Sequence, residues 1–494
     1  MTSKLSPPTN PKRREYDDEA FISALHDADS PPSTQEVADL VGCSYSTSRR
    51  RLSQLQESGS VNANNGTNPI TWTLGEYISS VRTSDLTPSW RSAPKGWGHS
   101  LHTLAPYVGG FPPALANYFI RRFSEAGDTV YDPFSGGGTT PLEAIIEDRV
   151  AWASDAFEYA TTLTRAKCEP LRTKEFTDYL DSKIRESESV DNSNFRLIYD
   201  NGWLDQSDLL VFYSEYTLDQ LLRLREVLQG DTSREATYLK AILCGVLHGP
   251  SEMFLSLSTK DTFSGSIDYV RDYAEKHDLE RPERDIKQSA ERKHELVSKD
   301  LDTIPVDSET QIRKADATDH DFPNNSVDLV LTSPPYMRVL DYSWNNWLRL
   351  WWLGVDRETE RDGLTLTADE ERYRQFVRET LQEMERVLTD DGYAVIVVGD
   401  VRKNLTNRIE YINTAYMFAE EALKHTDLVP RQIIDDEYDL EHRNFARANQ
   451  LKYDYSHDLK EEKAMSKLDR CLILSPHKQP LPDPTSVSVP WTDD

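Results

Sequence analysis

The chain has 494 residues, of which 37% are hydrophobic, enough for a substantial core and for more than one domain. Asp and Glu (84) outnumber Lys and Arg (56), and the resulting net charge of −28 excludes a broadly basic surface of the kind that many nucleic-acid-binding proteins carry. Because no apolar run approaches the roughly 18 residues of a membrane span and the basic start lacks an apolar export signal, we expect a cytoplasmic protein.

The N-terminal region predicts a small helical module. After a flexible start (residues 1–15), residues 16–75 read as three short helices followed by a hairpin rich in Asn and Gly. This order is similar to a winged helix-turn-helix, in which the third helix contacts DNA. A winged helix that binds protein or dimerises is the alternative. The candidate DNA-binding residues on the third helix are Ser46, Thr47, Arg49, Arg50 and Arg51.

A linker containing prolines (residues 76–96) leads to the first half of an α/β core (residues 97–170). An apolar strand ends at Asp132, a glycine-rich turn follows, and a helix begins immediately after the turn. Glycines allow close backbone approach, and a helix N-terminus presents free N–H groups, so this order predicts a cradle for an adenosine cofactor. The candidate cofactor-binding residues are Asp132, Pro133, Phe134, Ser135, Gly136, Gly138, Thr139 and Thr140.

A second short strand ends at Asp155, at about the spacing at which an acidic residue binds a ribose hydroxyl in nucleotide-binding folds. A turn residue at the strand end is the alternative reading of Asp155. Residues 171–300 are largely helical by their apolar periodicity and rich in charge. We interpret them as an insertion that recognises the target or clamps the substrate, with an ordinary helical connection as the alternative.

The second half of the core (residues 301–478) contains the sequence S-P-P-Y directly after a β-branched, apolar strand. Pro334 and Pro335 fix their own φ angles and keep the residue before each of them out of the helical region, so the loop backbone is preset. Ser333 and the loop carbonyls can then face an amino group, and the Tyr336 ring offers a stacking surface. The same tetrapeptide also occurs as a plain turn. Residues 479–494 are predicted to be a flexible tail.

Together, D-P-F-S-G-G-G-T-T and T-S-P-P-Y resemble the amino-group DNA methyltransferases that depend on S-adenosylmethionine. The resemblance implies a Rossmann-like, seven-stranded methyltransferase sheet with a helical insertion, beside the N-terminal winged-helix domain. It also implies residue roles. Phe134, Gly136 and Gly138 would bind the methionine part of the cofactor and Asp132 its amino group. Asp155 would bind the ribose, Asp316 and Ala317 would lie near the adenine, and Ser333 to Tyr336 would form the catalytic loop.

The family resemblance leaves the target base to be decided. Cytosine-N4 enzymes commonly carry S-P-P-Y, whereas adenine-N6 enzymes more often carry D-P-P-Y or N-P-P-Y, so Ser333 favours cytosine N4 in DNA. Methylation of adenine N6 in DNA, or of RNA, is the alternative chemistry. A DNA-binding regulator that keeps the fold without turnover is the alternative of another class. A restriction-modification role is the expected context.

The acidic composition and the cysteines indicate the salt and redox conditions in which the chain functions. Acidic, lysine-poor surfaces stay hydrated at high salt, where screening over a few ångströms removes long-range repulsion from DNA, so the net charge of −28 favours a halophilic source. The four cysteines are scattered without a C-x-x-C pair, which predicts reduced thiols. The histidines show no ligand spacing, and we predict no metal site.

Overall fold

The computed structural model describes residues 14–26, 28, 30–57, 60–74, 82–83, 89–191, 206–259, 264–305, 308–337, 341–364, 367, 369–399, 401–405, 408–438, 467–477 and 480–491. The strands are β1 (Arg14–Asp17), β2 (Val61–Asn64), β3 (Thr71–Leu74), β4 (Arg82–Thr83), β5 (Thr129–Asp132), β6 (Val150–Asp155), β7 (Thr310–Lys314), β8 (Val327–Thr332), β9 (Leu388–Gly399), β10 (Val401–Leu405), β11 (Arg408–Ile412), β12 (Val429–Tyr438) and β13 (Lys467–Ser475).

The helices are α1 (Asp18–His26), α2 (Thr34–Val41), α3 (Tyr45–Glu57), α4 (Pro113–Phe123), α5 (Thr139–Ile146), α6 (Glu158–Cys168), α7 (Thr173–Glu188), α8 (Gln206–Leu209), α9 (Glu215–Leu228), α10 (Arg234–Cys244), α11 (Ile267–Lys276), α12 (Ile286–Val297), α13 (Tyr342–Asn345), α14 (Trp347–Leu353), α15 (Arg357–Asp362), α16 (Glu370–Val387) and α17 (Thr414–His425). Among the helices of the described ranges, none is long and apolar enough to cross a membrane.

Within the described residues the main sheet has the strand order β4-β12-β13-β9-β8-β5-β6-β7. β13 runs antiparallel to both of its neighbours, and the other pairs are parallel. The predicted mostly parallel sheet of seven strands is confirmed, with one addition: the two-residue β4 pairs with β12 and makes an eighth strand at the edge. The run of parallel pairs explains why β5, β6 and β8 lack the alternating polar pattern of a half-exposed strand: a parallel sheet is covered on both faces.

The topology brings together two chain segments that are far apart in sequence. β5 lies between β6 and β8, so the carboxyl ends of all three strands reach the same edge of the sheet. The glycine turn follows β5 and the S-P-P-Y loop follows β8. Thr332 and Asp132, which are 200 positions apart, are in hydrogen-bond contact at this edge.

Two apolar cores cover the two faces of the sheet. One contains side chains of α4, α5 and α6 together with the helices of residues 171–300, and the other contains α16 and α17. The helices of residues 171–300 also hold the segment that follows the S-P-P-Y loop. Trp347 is buried and donates its indole N–H to the carbonyl of Gly265 (3.0 Å), and Ser264 N donates to the Asn345 carbonyl (3.0 Å).

The N-terminal helices α1 to α3 and the β2–β3 hairpin share a small core of their own, with Phe21, Val37, Leu52 and Trp72 buried. Ser33 caps α2: its hydroxyl accepts from Glu36 N (3.3 Å) and its backbone N donates to the Glu36 carboxylate (2.6 Å). This reciprocal pair explains the sharp start of the helix.

Three contacts join this N-terminal region to the rest of the chain. β1 pairs with β11, which pairs with β10 in a separate small sheet. Ile22 of α1 is fully buried in the core that contains α16 and α17. Ser60 donates a hydrogen bond to Glu420 of α17. The N-terminal region therefore packs against the sheet domain, in addition to being joined to it through the chain.

Two segments differ from the sequence-based expectation. Residues 480–491, predicted to be part of a flexible tail, pack along α4: Arg122 donates to the Pro482 carbonyl (3.0 Å), and the Trp491 ring lies edge-on to Trp97 (4.6 Å between centroids). Within the predicted linker, Trp90 is buried and Arg91 pairs with Asp436 (2.7 Å). Proline and serine content suggested flexibility, but the aromatic residues in both segments supply enough apolar area to hold them against the domain.

Candidate functional site

A cavity at the carboxyl edge of the sheet lies between the two sequence motifs. It holds about 870 Å³ of empty space, a volume that includes the part open to solvent. Its lining residues from the motifs are Asp132, Pro133, Phe134, Ser135, Gly136, Gly137, Thr139, Asp155, Asp316, Ala317, Ser333 and Pro335. Most of the predicted cofactor-binding residues thus surround one cavity that also reaches the S-P-P-Y loop.

The glycine turn owes its shape to three local features. Gly136 (φ 48°) and Gly138 (φ 73°) have positive φ angles that disfavour other residues. A Cβ at Gly136 would also come within 2.9 Å of the Tyr107 ring. Gly136 N donates to the Asp155 carboxylate (2.8 Å), and Gly138 N donates to the Ser135 carbonyl (2.7 Å). The turn is therefore fixed before α5 begins.

Asp132 is the most deeply buried carboxylate of the cavity, with 2% of its surface exposed. It accepts hydrogen bonds from the Thr332 hydroxyl (2.6 Å) and from Phe134 N (3.0 Å). Burial outweighs these donors and raises the pKa of Asp132 to about 7. Asp132 is therefore poised to change charge near neutral pH, and a cation bound beside it would favour the ionised form.

Asp155 uses both carboxylate oxygens locally. One accepts from Gly136 N and the other from Phe157 N (2.9 Å). Burial raises the pKa of Asp155 to about 6 despite these two donors. Asp316 lies at the outer side of the cavity and accepts hydrogen bonds from Thr318 N (2.9 Å) and from the Thr318 hydroxyl (2.8 Å). Both carboxylates retain acceptor sites towards the cavity because each oxygen has two lone pairs.

The S-P-P-Y loop is held from outside the cavity. The Tyr373 hydroxyl donates to the Pro335 carbonyl (3.0 Å). Ser333 and Pro335 line the cavity, and Pro334 is buried. The Tyr336 ring packs against Gly399, where an added Cβ would come within 3.2 Å of the ring. Pro334 and Tyr336 are outside the cavity lining, so Tyr336 lies beyond the space that Asp132 and Asp155 share.

Two of the predicted cofactor-binding residues, Gly138 and Thr140, also lie outside the lining. Gly138 is the N-cap of α5, and its Cα region faces Thr164 of α6. The Thr140 side chain is buried and donates to the Leu331 carbonyl (3.1 Å), so it joins α5 to β8. Both residues support the turn from behind, and their contacts give no direct access to a ligand.

An aromatic and apolar wall also lines the cavity, and none of its residues is among the predicted cofactor-binding or catalytic residues. Tyr107, Phe111, Tyr342, Leu364 and Phe376 all line the cavity. The rings of Tyr107 and Tyr342 stack with 6.2 Å between centroids, and burial raises the pKa of both phenols, so both are neutral hydroxyl groups at physiological pH. Leu364 follows α15, whose Glu360 accepts a hydrogen bond from the ammonium of Lys314 (2.5 Å), the last residue of β7. These residues come from four separate segments, and sequence reasoning missed Leu364 and Phe376, which belong to no recognisable motif.

The predicted DNA-binding residues on α3 divide into two groups. Ser46, Arg49 and Arg50 are exposed, and Thr47 is half-buried with its hydroxyl 2.8 Å from that of Ser44. Arg51 is buried and forms an ion pair with Asp18 of α1. The prediction that Arg51 faces DNA is therefore wrong: its position on the helix points the guanidinium into the module, where it neutralises an otherwise buried carboxylate.

Within the described ranges, no group of three or more His, Cys, Asp or Glu side chains is arranged to hold a metal ion. The site is instead a cavity with a strand-turn-helix cradle, acidic groups at two strand ends and a rigid proline loop at the adjacent strand. These features define an α/β enzyme-type domain that binds a small molecule at the carboxyl edge of its sheet.

The chain belongs to the N6/N4 DNA methylase family, whose pattern it matches over residues 43–158 and 327–466. It is similar to the type II methyltransferase M.MjaII of Methanocaldococcus jannaschii, with 22% identity over 391 residues, 63% of this chain and 73% of that protein.

Two solved structures are also similar at low identity. A proposed DNA modification methylase of Thermus thermophilus, complexed with S-adenosyl-L-methionine, aligns at 20% identity over 33% of this chain and 53% of its own, with a TM-score of 0.19. The rRNA methyltransferase aviRa of Streptomyces viridochromogenes aligns at 14% identity over 69% of this chain and 96% of its own, with a TM-score of 0.24.

Proposed function

We propose that the chain is a DNA methyltransferase that uses S-adenosylmethionine to methylate an exocyclic amino group, with cytosine N4 as the target. The observation that carries the proposal is that one cavity is lined both by the glycine turn and by Ser333 and Pro335 of the S-P-P-Y loop. Membership of the DNA methylase family supports the class of reaction and the nature of the substrate.

The residues present suit an adenosine cofactor with a positively charged methionine part. The glycine turn permits close backbone approach, Asp132 offers a carboxylate for an ammonium group, and Asp155 offers one for ribose hydroxyls. Asp316, Ala317 and Leu364 would surround the adenine. When bound, S-adenosylmethionine supplies an electrophilic methyl group. The work of the protein is then to bring an acceptor nitrogen in line with it.

The S-P-P-Y loop would perform that positioning. The Ser333 hydroxyl and the Pro334 carbonyl would accept hydrogen bonds from the target amino group, which helps its delocalised lone pair to turn towards the methyl carbon. Tyr373 holds the loop rigid through the Pro335 carbonyl. Catalysis would therefore rest on orientation, which can supply a large part of a barrier reduction without a covalent enzyme intermediate.

A hydrogen bond joins the proposed cofactor site to the S-P-P-Y loop and supports the proposal that the two act together. The Thr332 hydroxyl donates to Asp132, so the residue preceding the catalytic loop is bonded to the residue that would bind the cofactor's amino group. The target base would leave the duplex, enter between the Ser333 loop and the aromatic wall, and stack on Tyr336.

DNA contacts outside the cavity would come from the N-terminal region. Its three helices and hairpin support the proposed winged helix, and Arg49 and Arg50 lie exposed on α3, a helix with three arginines and a single acidic residue. This local excess of basic residues contrasts with the net charge of −28 of the whole chain. We infer a halophilic setting, in which screening removes the long-range repulsion between this acidic chain and DNA. The insertion at residues 171–300 would serve target recognition.

Transfer of a labelled methyl group from S-adenosylmethionine to DNA and to RNA, measured over a range of salt concentrations, tests the proposal. We expect labelled DNA, unlabelled RNA and loss of transfer in Tyr336→Ala, whose ring lies outside the cavity and whose removal leaves the cofactor site intact. Cofactor binding with no transfer to any nucleic acid would favour the alternative of a DNA-binding regulator. A restriction-modification role would further require an endonuclease blocked by the same modification.

A further inference from the structure

Helix α6 lies directly beneath the glycine turn. A Cβ at Gly138 would come within 3.0 Å of the Thr164 Cα, and the Thr164 hydroxyl donates to the Ser135 hydroxyl (3.1 Å). One helical turn further on, the Lys167 ammonium donates to the Gly137 carbonyl. The Tyr107 ring covers the opposite side of Gly136 and Gly137. The turn is thus enclosed between an aromatic ring above and two side chains of α6 below.

The contact of Lys167 controls the orientation of one peptide group. The carbonyl of the 137–138 peptide accepts from Lys167, and the N–H of the same peptide donates to the Ser135 carbonyl (2.7 Å). The 135–136 peptide is fixed through the hydrogen bond from Gly136 N to the Asp155 carboxylate (2.8 Å). If the ammonium were absent, the Gly137 carbonyl would be buried without its donor, and rotation of the peptide to recover one would break the bond to Ser135.

We propose that Lys167 is a positioning residue of the methyl-donor site: it fixes the Gly137 carbonyl and so keeps the glycine turn in the conformation that lines the side of the cavity for the methionine part of the cofactor. The inference rests on the proposed function for the identity of that ligand. It concerns a residue outside both sequence motifs and outside the cavity lining. Lys167 acts through the turn, so it does not need to touch the cofactor.

The burial of Lys167 indicates a specific role for its charge. Only 3% of the residue is exposed, and burial lowers its pKa to about 8, which is the cost of placing an ammonium group in this environment. A methionine or leucine at this position would pack without that cost. Lys293 of α12 provides a comparison: it is also buried, burial lowers its pKa to about 8, and it donates to the Thr103 carbonyl (2.7 Å), away from the turn.

Binding measurements with two ligands separate a positioning role from a structural one. S-adenosylhomocysteine contains both the adenosine and the amino-acid part, whereas adenosine lacks the latter. We expect Lys167→Met to weaken S-adenosylhomocysteine binding roughly tenfold, the loss expected when a buried hydrogen bond to a charged donor is removed. Adenosine binding should change less than about twofold in this variant, since Asp155 and the adenine side of the cavity are untouched.

Lys293→Met is the matched control and should leave the affinity for both ligands unchanged, with a comparable loss of thermal stability. Lys167→Arg, which keeps a cationic donor, should recover most of the affinity for S-adenosylhomocysteine. If Lys167→Met does not fold, Lys167→Gln, whose side chain is shorter, carries the same expectation.

The positioning role would be overturned if Lys167→Met weakened the binding of both ligands equally or of neither. It would also be overturned if Lys293→Met had the same effect on binding as Lys167→Met. A wild-type chain that binds neither ligand would instead show that the proposed function is wrong, and the inference would fall with it.

Discussion

The pKa of Asp132 predicts a pH-dependent affinity for the cofactor. If the ionised carboxylate binds the cofactor's ammonium group, affinity follows the ionised fraction of Asp132. With a pKa of about 7, that fraction rises from about one tenth at pH 6 to about nine tenths at pH 8. S-adenosylhomocysteine should therefore bind about tenfold more tightly at the higher pH, a difference of about 1.4 kcal/mol. Asp155, with its pKa of about 6, adds at most about a factor of two over this interval.

Isothermal titration calorimetry with S-adenosylhomocysteine at intervals across this range is the assay, because the ligand occupies the donor site without reacting. Asp132→Asn is the matched variant: it keeps an acceptor oxygen for Thr332 and Phe134 but cannot ionise, so its binding profile should lose the tenfold slope. A flat profile in the wild type, or an unchanged slope in Asp132→Asn, would refute the assignment of Asp132 to the ammonium group.

Four further results are expected. Without cofactor, Asp132→Asn should raise the melting temperature at pH 8 but not at pH 4. Between about pH 4 and 7, Asp132 is protonated in the folded chain but ionised in the unfolded chain, because folding raises its pKa. The stability of the wild type therefore falls as the pH rises through that interval. Thr332→Val removes a donor to the ionised Asp132 and should move the midpoint of the binding profile to higher pH by about one pH unit, measured by the same calorimetry. Arg49→Ala should weaken DNA binding and reduce the salt dependence of that binding, measured by a fluorescence assay. Arg51→Ala should instead lower the free energy of unfolding by about 3 kcal/mol, measured by denaturant unfolding, because it leaves Asp18 buried without its ion pair. A loss of DNA affinity from Arg51→Ala at full stability would contradict its structural role.

The parts of the site that could be predicted are those that depend on a few neighbouring residues in the sequence. Gly136 and Gly138 mark a turn that needs positive φ angles, and two consecutive prolines mark a preset loop. The apolar strands before each motif predict that both motifs lie at the carboxyl edge of a sheet. Their adjacency follows from the order of β5 and β8 in the sheet, which strand periodicity alone does not determine.

The parts that could not be predicted depend on contacts between distant segments. Leu364 and Phe376 reach the cavity from two regions, and each reads as an ordinary apolar residue in its own segment. Arg51 sits in a run of three arginines, and only the packing of α3 against α1 distinguishes it from its exposed neighbours. The last described residues were expected to be flexible from their prolines, but Trp491 packs against Trp97.

The central claim is tested most directly by the chemical identity of the product. DNA incubated with the protein and S-adenosylmethionine is digested to nucleosides and analysed by mass spectrometry, with Tyr336→Ala as the control. We expect N4-methylcytosine from the wild type and none from the variant. N6-methyladenine would contradict the assignment of the base that Ser333 favours, and the absence of any methylated nucleoside, from a protein that binds the cofactor, would contradict the claim that the chain is a DNA methyltransferase.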